Sequence, residues 1–111
     1  MNERENGNRL LDLLQREFAG DDDVTSGRMF SGQGLATHGK IFAFVSNTGR
    51  LVVKVPHSEV IDRIATGAEA VTMGERTMRE WVSIAQPDDD DIAEWHDAAV
   101  SALAFVRSLV S

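Results

Sequence analysis

The spacing of apolar residues along this chain switches between helical and strand periods, and each switch marks an element. From Asn8, the positions Leu10, Leu11, Leu13, Leu14 and Phe18 keep the 3/4 rhythm of an amphipathic helix. They predict a helix over Asn8 to Ala19, with Asn8 as N-cap and Gly20 as stop. The opening octet mixes charge, Asn and Gly, so residues 1–8 are expected to form a disordered tail ahead of a single domain over residues 9–111. Asp21 to Asp23 break the helical rhythm, and Val24 to Phe30 reads as a first strand.

Two hairpins follow. Gly34 to Thr37 and Lys40 to Val45 flank His38-Gly39, where glycine supplies the positive φ of a primed two-residue turn. Ser46 to Arg50 has the chemistry of a longer loop with Gly49 at a left-handed position, and Leu51 to Val55 is the next strand. Pro56 has no amide proton for a ladder and ends it. A helix capped by Ser58 should run through Ala65, turning Val60, Ile61 and Ile64 inward, with Gly67 as terminator.

Ala68 to Met73 and Thr77 to Ala85 read as two more strands around Gly74-Glu75-Arg76. Along the second, Met78, Val82 and Ile84 share one face with Glu80 intruding, and Thr77, Arg79, Trp81 and Ser83 share the other. That alternation fits a sheet with only one covered face. After Pro87, Asp88 to Asp91 sit where a helix N-terminus favours negative charge. The last helix is expected over Asp91 to Leu109, with the stripe Ile92, Trp95, Ala99, Ala102, Leu103, Val106 and Leu109. The expected fold is α+β: a two-layer domain with a mainly antiparallel five-stranded sheet and about three helices, in the order α-β-β-β-α-β-β-α.

Composition narrows the function classes. The chain has 111 residues, 42% of them hydrophobic, enough for one core without staples. It contains no cysteine, which excludes disulfides, thiolate metal sites and cysteine nucleophiles. With no apolar run of membrane-spanning length and no signal-peptide pattern, no membrane association is expected and the location is expected to be cytoplasmic. The net charge is −7, all of it in the second half, where eleven acids face four bases. The phosphate backbone calls for clustered Lys and Arg, so no direct nucleic acid binding is expected.

Three segments carry a family likeness. Arg28-Met29-Phe30-Ser31-Gly32-Gln33-Gly34-Leu35, then Gly39-Lys40-Ile41-Phe42-Ala43, then Gly49-Arg50-Leu51-Val52-Val53-Lys54 resemble, in order and spacing, the N-terminal domain of TfoX/Sxy proteins. Glu80-Trp81-Val82 and the closing helix fall where that family has a similar strand and helix. Ser31 departs from the family's usual glycine. The resemblance implies an association with competence regulation, and fuller members add a C-terminal helical domain that this chain is expected to lack. The N-terminal module brings no catalytic residues to carry over.

Candidate chemistry is sparse. Gly32-Gln33-Gly34 lacks the third glycine, following helix or Gly-Lys-Ser/Thr element of a phosphate loop, and reads as a bend between strands. Of His38, His57 and His96, only His96 has acids nearby in sequence, at Asp89, Asp91, Glu94 and Asp97. Helical geometry does not converge these acids on it. No serine sits in a nucleophile elbow. No catalytic, cofactor-binding or metal residue is therefore assigned, and no cofactor is expected.

Trp95 belongs to the stripe of the last helix and should be core. Trp81, on the opposite parity from Val82 and Ile84, either packs under a helix or marks an interaction surface together with Arg79. The reading is a non-enzymatic cytoplasmic regulatory or protein-interaction module with an unidentified protein partner or a second copy in a homodimer. A small-ligand-binding or enzymatic domain with a loop-built site is the alternative.

Overall fold

The structure, a computed structural model, describes residues 2–29 and 32–110. Its elements run α1 (Glu3–Arg16), β1 (Val24–Met29), β2 (Gly32–Thr37), β3 (Lys40–Val45), β4 (Leu51–Lys54), α2 (His57–Ala65), β5 (Glu69–Met73), β6 (Arg76–Ile84) and α3 (Ala93–Val110). The domain is α+β and the sheet is antiparallel throughout, in the order β1-β2-β3-β4-β6-β5. Among the described residues it has six strands rather than the five of the expected order, which counts three strands before α2 although four strand segments are read there; all four form, and β1 and β2 pair along their whole lengths. The expected strand end at Phe30 and the departure at Ser31 lie outside the described residues.

Turn chemistry sets the hairpins. His38 and Gly39 both take positive φ, 50° and 78°, the conformation a primed two-residue turn requires. Gly49 takes φ 80° in the β3–β4 loop, as a left-handed loop position demands.

Alternation along the strands builds the core on one face. Leu35, Ala43, Val45, Leu51, Val53, Val82 and Ile84 are buried there. All three helices pack on that side: α1 over β2 and β3, α3 over β3 and β4, and α2 over β6 and β5. Trp95, at 1% exposure, anchors α3, and its indole N–H donates to the Ala85 carbonyl at 2.9 Å. Ala98, Ala99 and Ala102 are fully buried, so the helix can close on the sheet without side-chain bulk.

Several boundaries differ from the sequence reading. Helix α1 begins at Glu3, with Asn2 as its N-cap accepting from the Glu5 amide at 2.7 Å, and it ends at Arg16 rather than Ala19. Glu3 to Asn8 are therefore docked helix, capped by Asn2, and not a tail. Polar contacts and close backbone approach hold them: Asn6 donates to the Gln86 side chain at 2.7 Å, and Gln86 donates to the carbonyls of Glu3 and Gly49. A Cβ on Gly7 would lie 2.7 Å from the Gly49 carbonyl oxygen, so only glycine lets the helix approach this hairpin.

Helix α2 begins at His57 with Pro56 at the cap position, where Ser58 was expected. Of its three expected inward residues, Val60 is buried, while Ile61 and Ile64 are 55% and 40% exposed. A nine-residue helix over the last two strands of a sheet has room to bury one narrow stripe only. Helix α3 starts at Ala93; the Asp89 and Asp91 carboxylates accept from the amides of Asp91 and Ala93 just ahead of it.

Candidate functional site

With every described helix on one face, the other face of the sheet has no second layer among the described residues. It presents the opposite parity of the same strands: Phe44 pairs with Val52, Val52 with Ser83, and Lys54 with Trp81. Trp81 is half-buried there, so it is neither helix-covered core nor a freely exposed ring. Phe44 meets it at 5.7 Å between ring centroids with a tilt of 59°, and the Lys54 ammonium lies 5.7 Å from the Trp81 centroid. Such a cation–π contact contributes about 0.5–1 kcal/mol at an exposed site.

An irregularity in β6 creates the site. Ala70 pairs with Val82 and Val71 pairs with Met78, so Arg79, Glu80 and Trp81 lie between consecutive partners on β5. The bulged backbone is held from the other side. The Val55 amide donates to the Glu80 carbonyl at 3.0 Å, and His57 Nδ1 stands 3.0 Å from the Arg79 carbonyl. A carbonyl only accepts, so the imidazole N–H is the donor in that pair. Bulges re-aim side chains, and this one places Arg79 and Trp81 together along one groove.

That groove, about 550 Å³, is lined by Lys54, His57, Arg79 and Trp81 together with residues 76–78 and Glu80. Among the described residues, Lys54, Arg76 and Arg79 form no ion pair, nor do Arg16 and Lys40, whereas Arg9, Arg50, Arg63 and Arg107 all do. A second depression of about 420 Å³ shares Lys54 and Trp81 and runs to Ile41, Leu109 and Val110. The structure thus brings the two expected surface residues, Arg79 and Trp81, into one site. It adds Lys54, Arg76 and His57, which sequence reasoning missed. Lys54 and His57 reach Trp81 and Arg79 only because β6 pairs with β4, a non-sequential pairing that no local motif signals.

The strongest electrostatic cluster lies elsewhere. Arg107 of α3 donates to both carboxylate oxygens of Asp23, at 2.6 and 2.7 Å, and to Asp21 at 3.0 Å. Thr37, fully buried, donates to Asp23 at 2.9 Å. Hydrogen bonds from Arg107 and then from Thr37 hold the Asp23 carboxyl far below the usual carboxylate range, and the same pairing raises Arg107. This cluster ties the last helix to the α1–β1 loop and the β2–β3 hairpin. Its donors and acceptors satisfy each other, which is structural work.

The other candidates resolve similarly. The Gly-Gln-Gly segment, expected as a bend between strands, is instead the first half of β2 paired with β1, and the Gln33 amide donates to the Asn8 side chain at 3.2 Å. His96 packs its ring against Phe18 at 5.7 Å. Among the described residues, no three His, Asp or Glu side chains come together as a metal site, and no helix is long and apolar enough to cross a membrane.

Compared with known protein families, the TfoX N-terminal domain model matches residues 16–105. No curated protein and no solved structure matches the chain.

Proposed function

The chain belongs to the TfoX N-terminal domain family, and on that premise we propose that it is a non-enzymatic regulatory module of the cytoplasm that docks a protein partner on its open sheet face. The observation that carries this reading is the one-sided placement of the helices. It leaves Trp81 half-buried and Arg79 exposed on a face without a second layer. Aromatic and Arg residues are the types enriched at the centres of protein interfaces. No residue receives a catalytic, cofactor or metal role in this reading.

The test is a Trp81→Ala variant compared with the parent by sedimentation, by capture of partners from native lysate, and by denaturant unfolding. An interface residue loses assembly or partner while folding stability falls by about 1–2 kcal/mol, the share expected for a half-buried aromatic. Unchanged assembly and capture together with a loss of about 3–5 kcal/mol would make Trp81 an ordinary core residue and overturn the reading. Sedimentation also distinguishes a second copy of the chain from a foreign partner.

A further inference from the structure

An acidic protein that leaves several cations unpaired in one groove sets up a local field opposite to its net charge. Four arginines outside the groove meet carboxylates: Arg9 meets Asp90, Arg50 meets Glu69, Arg63 meets Glu59 and Asp97, and Arg107 meets Asp21 and Asp23; what distinguishes the groove is that its cations stand together. The groove beside Trp81 holds Lys54, Arg76 and Arg79 against a single lining acid, Glu80. It opens at Lys54 and Trp81 into the depression formed with Lys40, Ile41, Leu109 and Val110, where Leu109 is 55% and Val110 37% exposed.

We propose that this paired depression binds an acidic peptide segment of a partner protein, its carboxylates on Lys54, Arg76 and Arg79 and an adjacent large apolar side chain on the Ile41–Leu109 side. The proposal rests on the open face being the docking surface and adds the chemistry of what docks. Charge complementarity selects an anionic occupant. The aromatic geometry selects peptide over nucleic acid. Base recognition without sequence readout needs a free aromatic face, and the Trp81 ring already has Lys54 over it and Phe44 tilted against it. A long polyphosphate would also leave the groove and meet a surface that is net negative, with Glu69 68% exposed on the neighbouring strand. A segment with two or three carboxylates stays within the cationic patch.

The test uses fluorescence anisotropy on the full chain. The probes are a labelled dodecapeptide of Glu and Asp with a central Leu-Phe pair, its Gln/Asn counterpart, a labelled oligothymidylate and tripolyphosphate as competitor. The acidic peptide is expected to bind, with affinity weakening several-fold as salt rises from about 0.05 to 0.3 M, and the uncharged counterpart is expected not to bind. Arg79→Glu should weaken binding by about tenfold. Arg16→Glu, an equal change in net charge on exposed α1, should leave it within about twofold, and matched thermal unfolding of both variants confirms that each is folded.

The proposal is overturned if the acidic peptide does not bind, if the oligothymidylate or tripolyphosphate binds more tightly than the peptide, or if Arg16→Glu weakens binding as much as Arg79→Glu. If the peptide fails yet Arg79→Glu still abolishes capture of a lysate partner, the docking face stands and the acidic partner falls. If neither binding nor capture responds to Arg79→Glu, both fall together.

Discussion

The two faces of this sheet are made from alternate residues of the same strands and are completed in opposite ways. In β4, Leu51 and Val53 are fully buried beneath helices, while Val52 and Lys54, one position along, belong to the face that no described helix covers, where Val52 is 4% exposed among its own strand neighbours. On the helical side, Arg107 holds Asp21 and Asp23, and Arg63 bridges Glu59 and Asp97 between α2 and α3. On the open side, Arg50 donates to Ser83 and meets Glu69, while the neighbouring Lys54, Arg76 and Arg79 have no ion-pair partner among the described residues. Net charge averages over these two situations and hides both. Where the cations sit, and which already have partners, says more about what the surface can attract than the total of −7.

The sharpest break in this comparison is between the tryptophans. Trp95 is 1% exposed and its indole N–H is spent on the Ala85 carbonyl, so Trp95→Ala should cost about 3–5 kcal/mol in denaturant unfolding, well beyond the loss expected for Trp81→Ala. Equal losses at the two sites would mean that the open face is packed as tightly as the covered one. Next in size is Gly7→Ala. Within an exposed helix this change stabilises by about 0.5–1 kcal/mol. Here the new Cβ would press on the Gly49 carbonyl and on Val45, so a net loss of about 1–3 kcal/mol is expected from the same unfolding measurement. A gain in stability would show that the first two turns of α1 are not seated on the β3–β4 hairpin.

Acid titration probes the matched charges of the covered side. Arg107 and Thr37 depress the Asp23 carboxyl, so the stability it contributes is fully present above its ordinary pKa of about 3.9 and is lost as pH falls from there toward the folded value. Asp23→Asn should therefore lower the thermal midpoint at pH 7 and flatten the decline between about pH 4 and pH 2 relative to the parent. A variant as steep as the parent in that window would place the acid sensitivity on other carboxylates.

How much of this was legible in the chain follows from which interactions are local. The hairpin at His38-Gly39, the left-handed Gly49, the core stripe of α3 and the parity that separates Trp81 from Val82 all depend on neighbours a few positions apart. Each is found as expected, except that the α3 stripe ends at Val106: Leu109, expected on it, is 55% exposed, and Ile92 lies just ahead of the helix. The helical start at Glu3 was not legible, since what seats it is Gln86, far along the chain, reaching the Glu3 and Gly49 carbonyls. Ile61 and Ile64 have the right period for an inward face, but period says nothing about how much sheet lies under a helix at the β5 edge. The cationic groove was invisible for the same reason. Lys54 and Arg79 are separated by α2 and β5 in sequence and become neighbours through the β4–β6 pairing and the irregularity at Ala70/Val71.

The smallest expected effect on folding is also the cleanest separation of the two faces. Arg79 is exposed, has no ion-pair partner among the described residues, and contributes to the bulge only through its backbone carbonyl, which the His57 ring holds. Arg79→Ala keeps that carbonyl and removes only the side chain, so its stability should stay within about 0.5 kcal/mol of the parent, as for surface substitutions away from caps and networks. His57→Ala, by contrast, withdraws the donor from the Arg79 carbonyl and should cost about 0.5–1.5 kcal/mol, the usual net value of one intramolecular hydrogen bond. Denaturant midpoints of the two variants, measured side by side, read the difference. A larger loss in Arg79→Ala than in His57→Ala would show that the guanidinium is a structural partner after all, and would remove it from the surface available for docking.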